Sequence, residues 1–189
     1  MIDRAIMFAA AAHKGMFRKG TKQPYIFHPL EVLSLVSMMT DDDEILCGAV
    51  LHDTVEDTAA NLEDIKKEFG DRVAKLVGYE TEDKRGNVNK EDTWVDRKKE
   101  SIACLNSVDD IGAKMICLGD KVSNLRSFHL MQLQEGENMW NYFHMNDPKM
   151  HYWYYNEIRK SLEVLKDYSI YKEYEFLIDA IFSKYVKEK

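Results

Sequence analysis

A chain of 189 residues fits one compact domain, and with 45% hydrophobic and 31% charged residues it can bury a real core, which excludes a disordered tail or a low-complexity segment. The net charge of -7 disfavours a broad footprint on nucleic acid polymers or on anionic membrane. The three cysteines, Cys47, Cys104 and Cys117, are scattered in apolar stretches without CxxC spacing and read as reduced core thiols of an intracellular protein. The opening "MIDRAIMFAAAAHKG" lacks the charged region, long apolar run and cleavage site of a signal peptide, and no later apolar run approaches the roughly 18 residues of a membrane span. A cytoplasmic protein with no membrane partner is expected.

Apolar residues recur mostly at helical spacing, with only 9 Gly and 3 Pro as punctuation, so the expected fold class is all-α. Residues 2 to 13 predict a first helix ending near Gly15, and "HPLEVLSLVSMM" a second, with Pro29 tolerated in its opening turn. "DDDEILCGAVLHD" predicts a third, with acids at its positive end. In "NLEDIKKEFGD", Asn61 is a candidate cap with Asp64 after it and Gly70 a stop. A helix from Arg72 to about Tyr79 follows, then a polar loop, "TEDKRGNVNKED". Helices resume at 93–106 and 110–130, "QEGENMWNYFHMNDPK" reads as partly irregular, and helices over roughly 149–166 and 171–187 close the chain. No internal repeat or linker composition interrupts it.

The chemistry concentrates in "AVLHDTVEDT", where an apolar run leads straight into His52 and Asp53, with Glu56 and Asp57 following. On a continuous helix His52 and Glu56 share one face, and Asp53 and Asp57 the neighbouring one. Carboxylates so close raise one another's pKa and ask for a counter-ion, which a divalent metal supplies. Histidine mixed with carboxylates suits Mn, Fe or Zn better than Ca or Mg. The pair alone is weak evidence, since a solvated acidic helix end with His52 satisfied in the core is the commoner outcome for a bare His-Asp. "RKGTKQPYIFHP" adds Arg18 and Lys19 ahead of His28, and "CLGDKVSNLRS" adds Asp120, Asn124 and Arg126 within a mostly apolar helix. Taken separately, a solvated loop, an N-terminal cap and ordinary ion pairing account for each of these.

Taken in order, "AAHKGMFRKGTKQPYIFHPLEV", "AVLHDTVEDT" and "CLGDKVSNLRS" resemble the HD-superfamily hydrolase domain of the RelA/SpoT alarmone enzymes, in the short stand-alone form similar to metazoan SpoT homologues. The HDxxED signature stands as His52, Asp53, Glu56 and Asp57, and the resemblance spans roughly residues 1 to 130, weakening through "HYWYYNEIRKSL". It implies one HD hydrolase domain over residues 1–189, a helical bundle around a single metal site. The metal-site motifs lie in 13–58 and 116–127, and the helices of 149–187 complete the bundle. It also implies removal of the 3′-diphosphate from guanosine tetra- or pentaphosphate, the alarmone of the stringent response, with no synthetase half.

Position by position, the resemblance implies that His28, His52, Asp53 and Asp120 hold the metal, Mn²⁺ by preference with other divalent transition ions admissible. Glu56 and Asp57 fall where the family keeps its catalytic acids, close to the metal without ligating it. Arg18 matches a residue near the base, Lys19 one near phosphate and Asn124 one facing the nucleoside; Arg126 joins this substrate-binding set. The chain departs from the family at Met16, where Gln is common, and in "LGDKVSN", where Gly119 and Ser123 replace an Ala and a His. These departures motivate a second reading, an HD phosphohydrolase for another phosphorylated nucleotide or a nucleotide cofactor such as NADPH at its 2′-phosphate. A non-catalytic nucleotide-binding module is a third. The remaining histidines, His13, His129, His144 and His151, take a structural or surface reading, with His13 at a helix end that favours a partly positive ring. Trp153, Tyr154 and Tyr155 read as core or subunit interface, and Lys84, Arg97 and Lys98 as a solvated face. The acidic surface and helical aromatics permit a homo-oligomer without requiring one.

Overall fold

The computed structural model describes residues 1–82 and 93–186. Most of the polar loop expected over 81–92, including Lys84, lies outside them. The described residues are helical, without a strand beyond one isolated bridge between Phe17 and Pro24. They group into two compact units, one of residues 1–82 and 108–120, the other of 93–107 and 121–186. No helix among them is long and apolar enough to cross a membrane.

The first unit contains α1 (Ile2–Ala12), α2 (Phe27–Val36), α3 (Asp43–Leu51), the single turn α4 (Thr54–Asp57), α5 (Leu62–Phe69) and α6 (Asp71–Glu80). Its core joins Ala5 and Ala9 of α1 to Cys47, Val50 and Leu51 of α3 and to Ile65, Phe69 and Val73 from α5 and α6. Small residues on α1 let α3 approach closely, and α3 is buried over every position from Ile45 to Leu51. Burial pushes the Cys47 thiol up to about 11, so it behaves as a small apolar core residue and not as a nucleophile. The α5 boundaries follow the sequence: Asn61 accepts from the Asp64 N–H while Asp64 accepts from the Asn61 N–H, a reciprocal capping box. Gly70 then ends the helix at φ +97°, a left-handed conformation that a side chain disfavours.

Arg72, at the start of α6, ties three acids together. Its Nη1 donates to Asp42 Oδ2 at 2.6 Å and Glu44 Oε2 at 3.1 Å, and its Nε to Asp110 Oδ2 at 3.3 Å. Asp42 also caps α3 by accepting from the Glu44 and Ile45 N–H groups. Asp110 immediately precedes α8 (Ile111–Glu135), so one guanidinium fixes where α3, α6 and α8 begin.

The second unit contains α7 (Trp94–Ser107), α8 from Lys121 onward, a 3-10 segment (Gly136–Tyr142), α9 (Pro148–Ser161), a 3-10 turn (Glu163–Leu165) and α10 (Ser169–Val186). Its core is aromatic. Phe128 meets Trp140 edge-on at 5.7 Å and Tyr155 at 5.9 Å, and Tyr174 donates to the Tyr155 carbonyl at 2.8 Å. Tyr154 and Tyr155 are therefore core residues, and His151 is buried among these rings with Nε2 on the Met145 carbonyl at 2.8 Å. Lys98 lies 4.8 Å from the Tyr154 ring centroid, so it rests on an aromatic face and not wholly in solvent.

Replacing Arg72 with Met leaves three carboxylates facing one another, and since partly exposed pairs are worth little singly, the expected cost is about 1–2 kcal/mol in urea unfolding at pH 7. The bond from Arg72 holds the Asp42 carboxyl below its ordinary range; at Asp110 burial pushes upward, but the same guanidinium outweighs it. Stability from these depressed carboxylates is present above the unfolded value near roughly pH 4 and is lost as pH falls through the folded ones. The stability gap between wild type and Arg72→Met therefore narrows below about pH 4, which unfolding series at stepped pH measure.

Candidate metal centre

Four side chains from three separated segments converge in the first unit. α3 ends at Leu51, so His52 and Asp53 form a turn before α4 and do not share continuous helical faces with Glu56 and Asp57. This corrects the expectation of one unbroken helix. Across this turn Asp53 Oδ2 lies 3.1 Å from His52 Nε2. His28, in the opening turn of α2, places Nε2 at 3.3 Å from that same oxygen and at 3.3 Å from His52 Nε2. Asp120 on α8 brings Oδ1 to 3.1 Å from His28 Nε2 and 3.7 Å from His52 Nε2.

Both imidazoles are buried, with side chains 2% and 1% exposed, and the carboxylates nearly so at 17% and 9%. Burial opposes charge on His52, but the adjacent Asp53 and Asp120 carboxylates outweigh it and hold the imidazole up at about 10. Burial likewise opposes charge on Asp53, yet the two imidazoles keep its carboxyl well below the usual range. A proton on His52 offsets one of the two carboxylate charges, whereas a divalent cation would offset both. His52 Nδ1 lies 2.8 Å from the Ala49 carbonyl, which can only accept, so Nδ1 carries hydrogen and a neutral ring would present a free Nε2 to the cluster.

The donor set fits a first-row divalent ion. Ligand atoms about 2.1 Å from such an ion lie about 3.0–3.4 Å from one another, close to the separations found here. His28, His52 and Asp120 each offer a donor atom within 4.8 Å of the others, and Asp53 Oδ2 adds a fourth.

The other sequence candidates are distributed around this cluster or away from it. Glu56 and Asp57 are on α4, and Glu56 Oε2 accepts from the Glu82 N–H at 3.0 Å, which ties the end of the unit back to α4. Arg18 lies in a loop closed by Arg18 N–H to Gln23 carbonyl and Tyr25 N–H to Met16 carbonyl bonds, each 2.9 Å, with its guanidinium 5.8 Å from the Tyr25 ring centroid. Lys19, next to it, is exposed. Asn124 follows Asp120 by one turn along α8, and Arg126 makes a forked pair with Glu173 at 2.6 and 2.9 Å in the second unit.

The sequence reading did not single out Tyr25, whose hydroxyl donates to Asp53 Oδ2 at 2.6 Å, and it treated Gly119 only as a departure. A Cβ at Gly119 would stand 2.9 Å from Val36 Cγ2 and 3.4 Å from the Val32 carbonyl, both on α2. Glycine there lets α8 press against α2, which carries His28. His13 also corrects an expectation: it caps α1 but is buried, and burial lowers its pKa and favours the neutral ring. A tyrosine three residues before the His28-Pro29 pair and a glycine beside an acid were the available signals, and neither is distinctive without packing partners.

Gly119→Val should cost about 2–3 kcal/mol, because Val36 is fully buried and cannot move aside freely; urea unfolding measures it. Arg126→Met is expected to lower stability by about 1 kcal/mol through loss of the Glu173 pair, read as a shift in Tm.

Residues 5–140 match the HD domain family. A guanosine-3′,5′-bis(diphosphate) 3′-pyrophosphohydrolase of Aquifex aeolicus is 36% identical over 126 residues, which cover 67% of this chain and 17% of that protein. The bifunctional (p)ppGpp synthase/hydrolase SpoT of Escherichia coli is 35% identical over 127 residues, covering 67% of this chain and 18% of its own length. The chain thus spans less than a fifth of these relatives. Among solved structures, a metazoan orthologue of SpoT, described as hydrolysing ppGpp and acting in starvation responses, aligns with TM-score 0.72 at 27% identity over 98% of this chain and 95% of the other. The Listeria monocytogenes protein lmo0812 also aligns with TM-score 0.72, at 30% identity over 82% of this chain and 99% of the other.

Proposed function

This chain belongs to the HD domain family, and from that premise we propose that it is a divalent-metal-dependent phosphohydrolase that removes the 3′-diphosphate of guanosine tetra- or pentaphosphate. The observation that carries the reading is the near-dry cluster of His28, His52, Asp53 and Asp120, with Glu56 and Asp57 one turn beyond. The alarmone is supported by what the relatives are named for and by the near-complete overlap with a SpoT orthologue.

In this reading the four clustered side chains hold the ion, which when bound lowers the pKa of a water and withdraws electrons from phosphorus. The mixed nitrogen and oxygen donors suit manganese, with iron or zinc chemically admissible. His52 is committed through Nδ1 to Ala49, so its orientation is set before any ion arrives. Attack by water at the phosphorus joined to the 3′-oxygen forms a new P–O bond and breaks the P–O3′ bond, so the ribose oxygen leaves as a 3′-hydroxyl and the diphosphoryl group, now carrying the water oxygen, departs as pyrophosphate; one proton leaves water and one reaches the ribose oxygen. Glu56 and Asp57 are the acids at hand for that exchange. Arg18, on the Tyr25 ring, offers a planar cation to a purine or phosphate, and Lys19 a mobile point charge. Asn124 completes the substrate set as a neutral donor and acceptor, whereas the Glu173 pair leaves Arg126 a weaker candidate.

Pyrophosphate release from guanosine 3′,5′-bis(diphosphate) tests this directly. Wild type should release it only with Mn²⁺. Asp53→Ala should lose both metal affinity and turnover, while Glu56→Gln should keep the metal and lose on the order of 100-fold or more in kcat. Mn²⁺ binding without release would reject the alarmone and turn attention to other phosphorylated nucleotides, NADPH included. Unchanged turnover in Glu56→Gln would remove that residue from the chemistry.

A further inference from the structure

Beyond the four donors and the two acids, the cluster is in contact with a phenol. Tyr25 donates its hydroxyl to Asp53 Oδ2 at 2.6 Å, the same oxygen that lies 3.3 Å from His28 Nε2 and 3.1 Å from His52 Nε2. A phenol O–H facing a carboxylate oxygen is the donor of this bond.

The ring is held as firmly as the hydroxyl. Tyr25 N–H donates to the Met16 carbonyl at 2.9 Å, and the Tyr25 carbonyl accepts from the His28 N–H at 3.0 Å, which joins it to the loop of Arg18 and to the start of α2. His13 lies across the ring at 4.9 Å between centroids with an interplanar angle of 32°, and His28 meets it edge-on at 5.9 Å. His13 is 2% exposed with neither ring nitrogen hydrogen-bonded, so what it gives Tyr25 is a neutral packing surface. Arg18 contributes its guanidinium at 5.8 Å from the same ring.

We propose that Tyr25 is a positioning residue: its hydroxyl aims the Asp53 carboxylate at the divalent-cation site, while its ring carries Arg18. One side chain thereby couples cation binding to substrate binding. The first half requires only a divalent cation; the second rests on the phosphohydrolase reading.

Mn²⁺ titration of the full chain by calorimetry, without nucleotide, tests the first half. Tyr25→Phe keeps the ring and removes the hydroxyl, and it should weaken Mn²⁺ binding about tenfold, as loss of a bond to a ligating carboxylate typically does. A dissociation constant within about twofold of wild type overturns the inference, whatever happens to Tm. If Tyr25→Phe fails to fold, 3-fluorotyrosine placed at position 25 preserves shape and donor while acidifying the phenol; a shifted Mn²⁺ constant supports the role and an unshifted one overturns it. For the second half, at saturating Mn²⁺ Tyr25→Phe should lower kcat with KM for guanosine 3′,5′-bis(diphosphate) unchanged, and Tyr25→Leu, which also removes the support of Arg18, should raise KM. Equal KM in both variants overturns the coupling. If wild type binds Mn²⁺ but releases no pyrophosphate, the substrate reading fails while the Mn²⁺ constants still decide the role of Tyr25. No Mn²⁺ binding by wild type overturns both.

Discussion

Two imidazoles 3.3 Å apart, each within 3.1–3.7 Å of two carboxylates and nearly dry, form the constraint on which the first unit depends. Such a group is unfavourable unless its charges balance, since an unpaired buried carboxylate is among the costliest things a fold can hold. A proton on His52 meets half of that balance, and a divalent cation would meet all of it. Donors already this close together would need little reorganisation to take up an ion.

The means are individually ordinary. Arg72 fixes the starts of α3, α6 and α8, and so the two helices on which Asp53 and Asp120 depend. Gly119 removes the Cβ that would hold α8 away from α2, and with it Asp120 away from His28. α3 ends at Leu51, and in the turn after it His52 Nε2 and Asp53 Oδ2 lie 3.1 Å apart. Tyr25 then donates to the same Asp53 oxygen that faces the two imidazoles, at 2.6 Å. Packing, backbone geometry and charge act on the same few atoms, and each would be inconsequential without the others.

The second unit solves a different problem with different residues. Its core adds rings from α8, α9 and α10 to buried aliphatics such as Leu125, Ile158 and Ile181, so edge-to-face contact accompanies aliphatic burial there. Trp140 and Tyr174 each satisfy their polar atom while buried, at Tyr185 and at the Tyr155 carbonyl. The Arg126–Glu173 pair belongs to this economy, linking α8 to α10.

Helical periodicity, the Asn61 and Asp64 capping box, the Gly70 stop and the HDxxED spacing were determined by the sequence itself, because each depends on neighbours within a few residues. The same locality explains the misreadings: nothing within a few residues of His52 reveals that the helix must break there, and the helix-end rule for His13 ignores the burial that keeps it neutral. Only tertiary packing decided that His28, Asp53 and Asp120, far apart along the chain, would meet at one point. It alone gave Tyr25 and Gly119 their work, because distances between segments are set by which surfaces bury against which, a quantity that no local pattern contains.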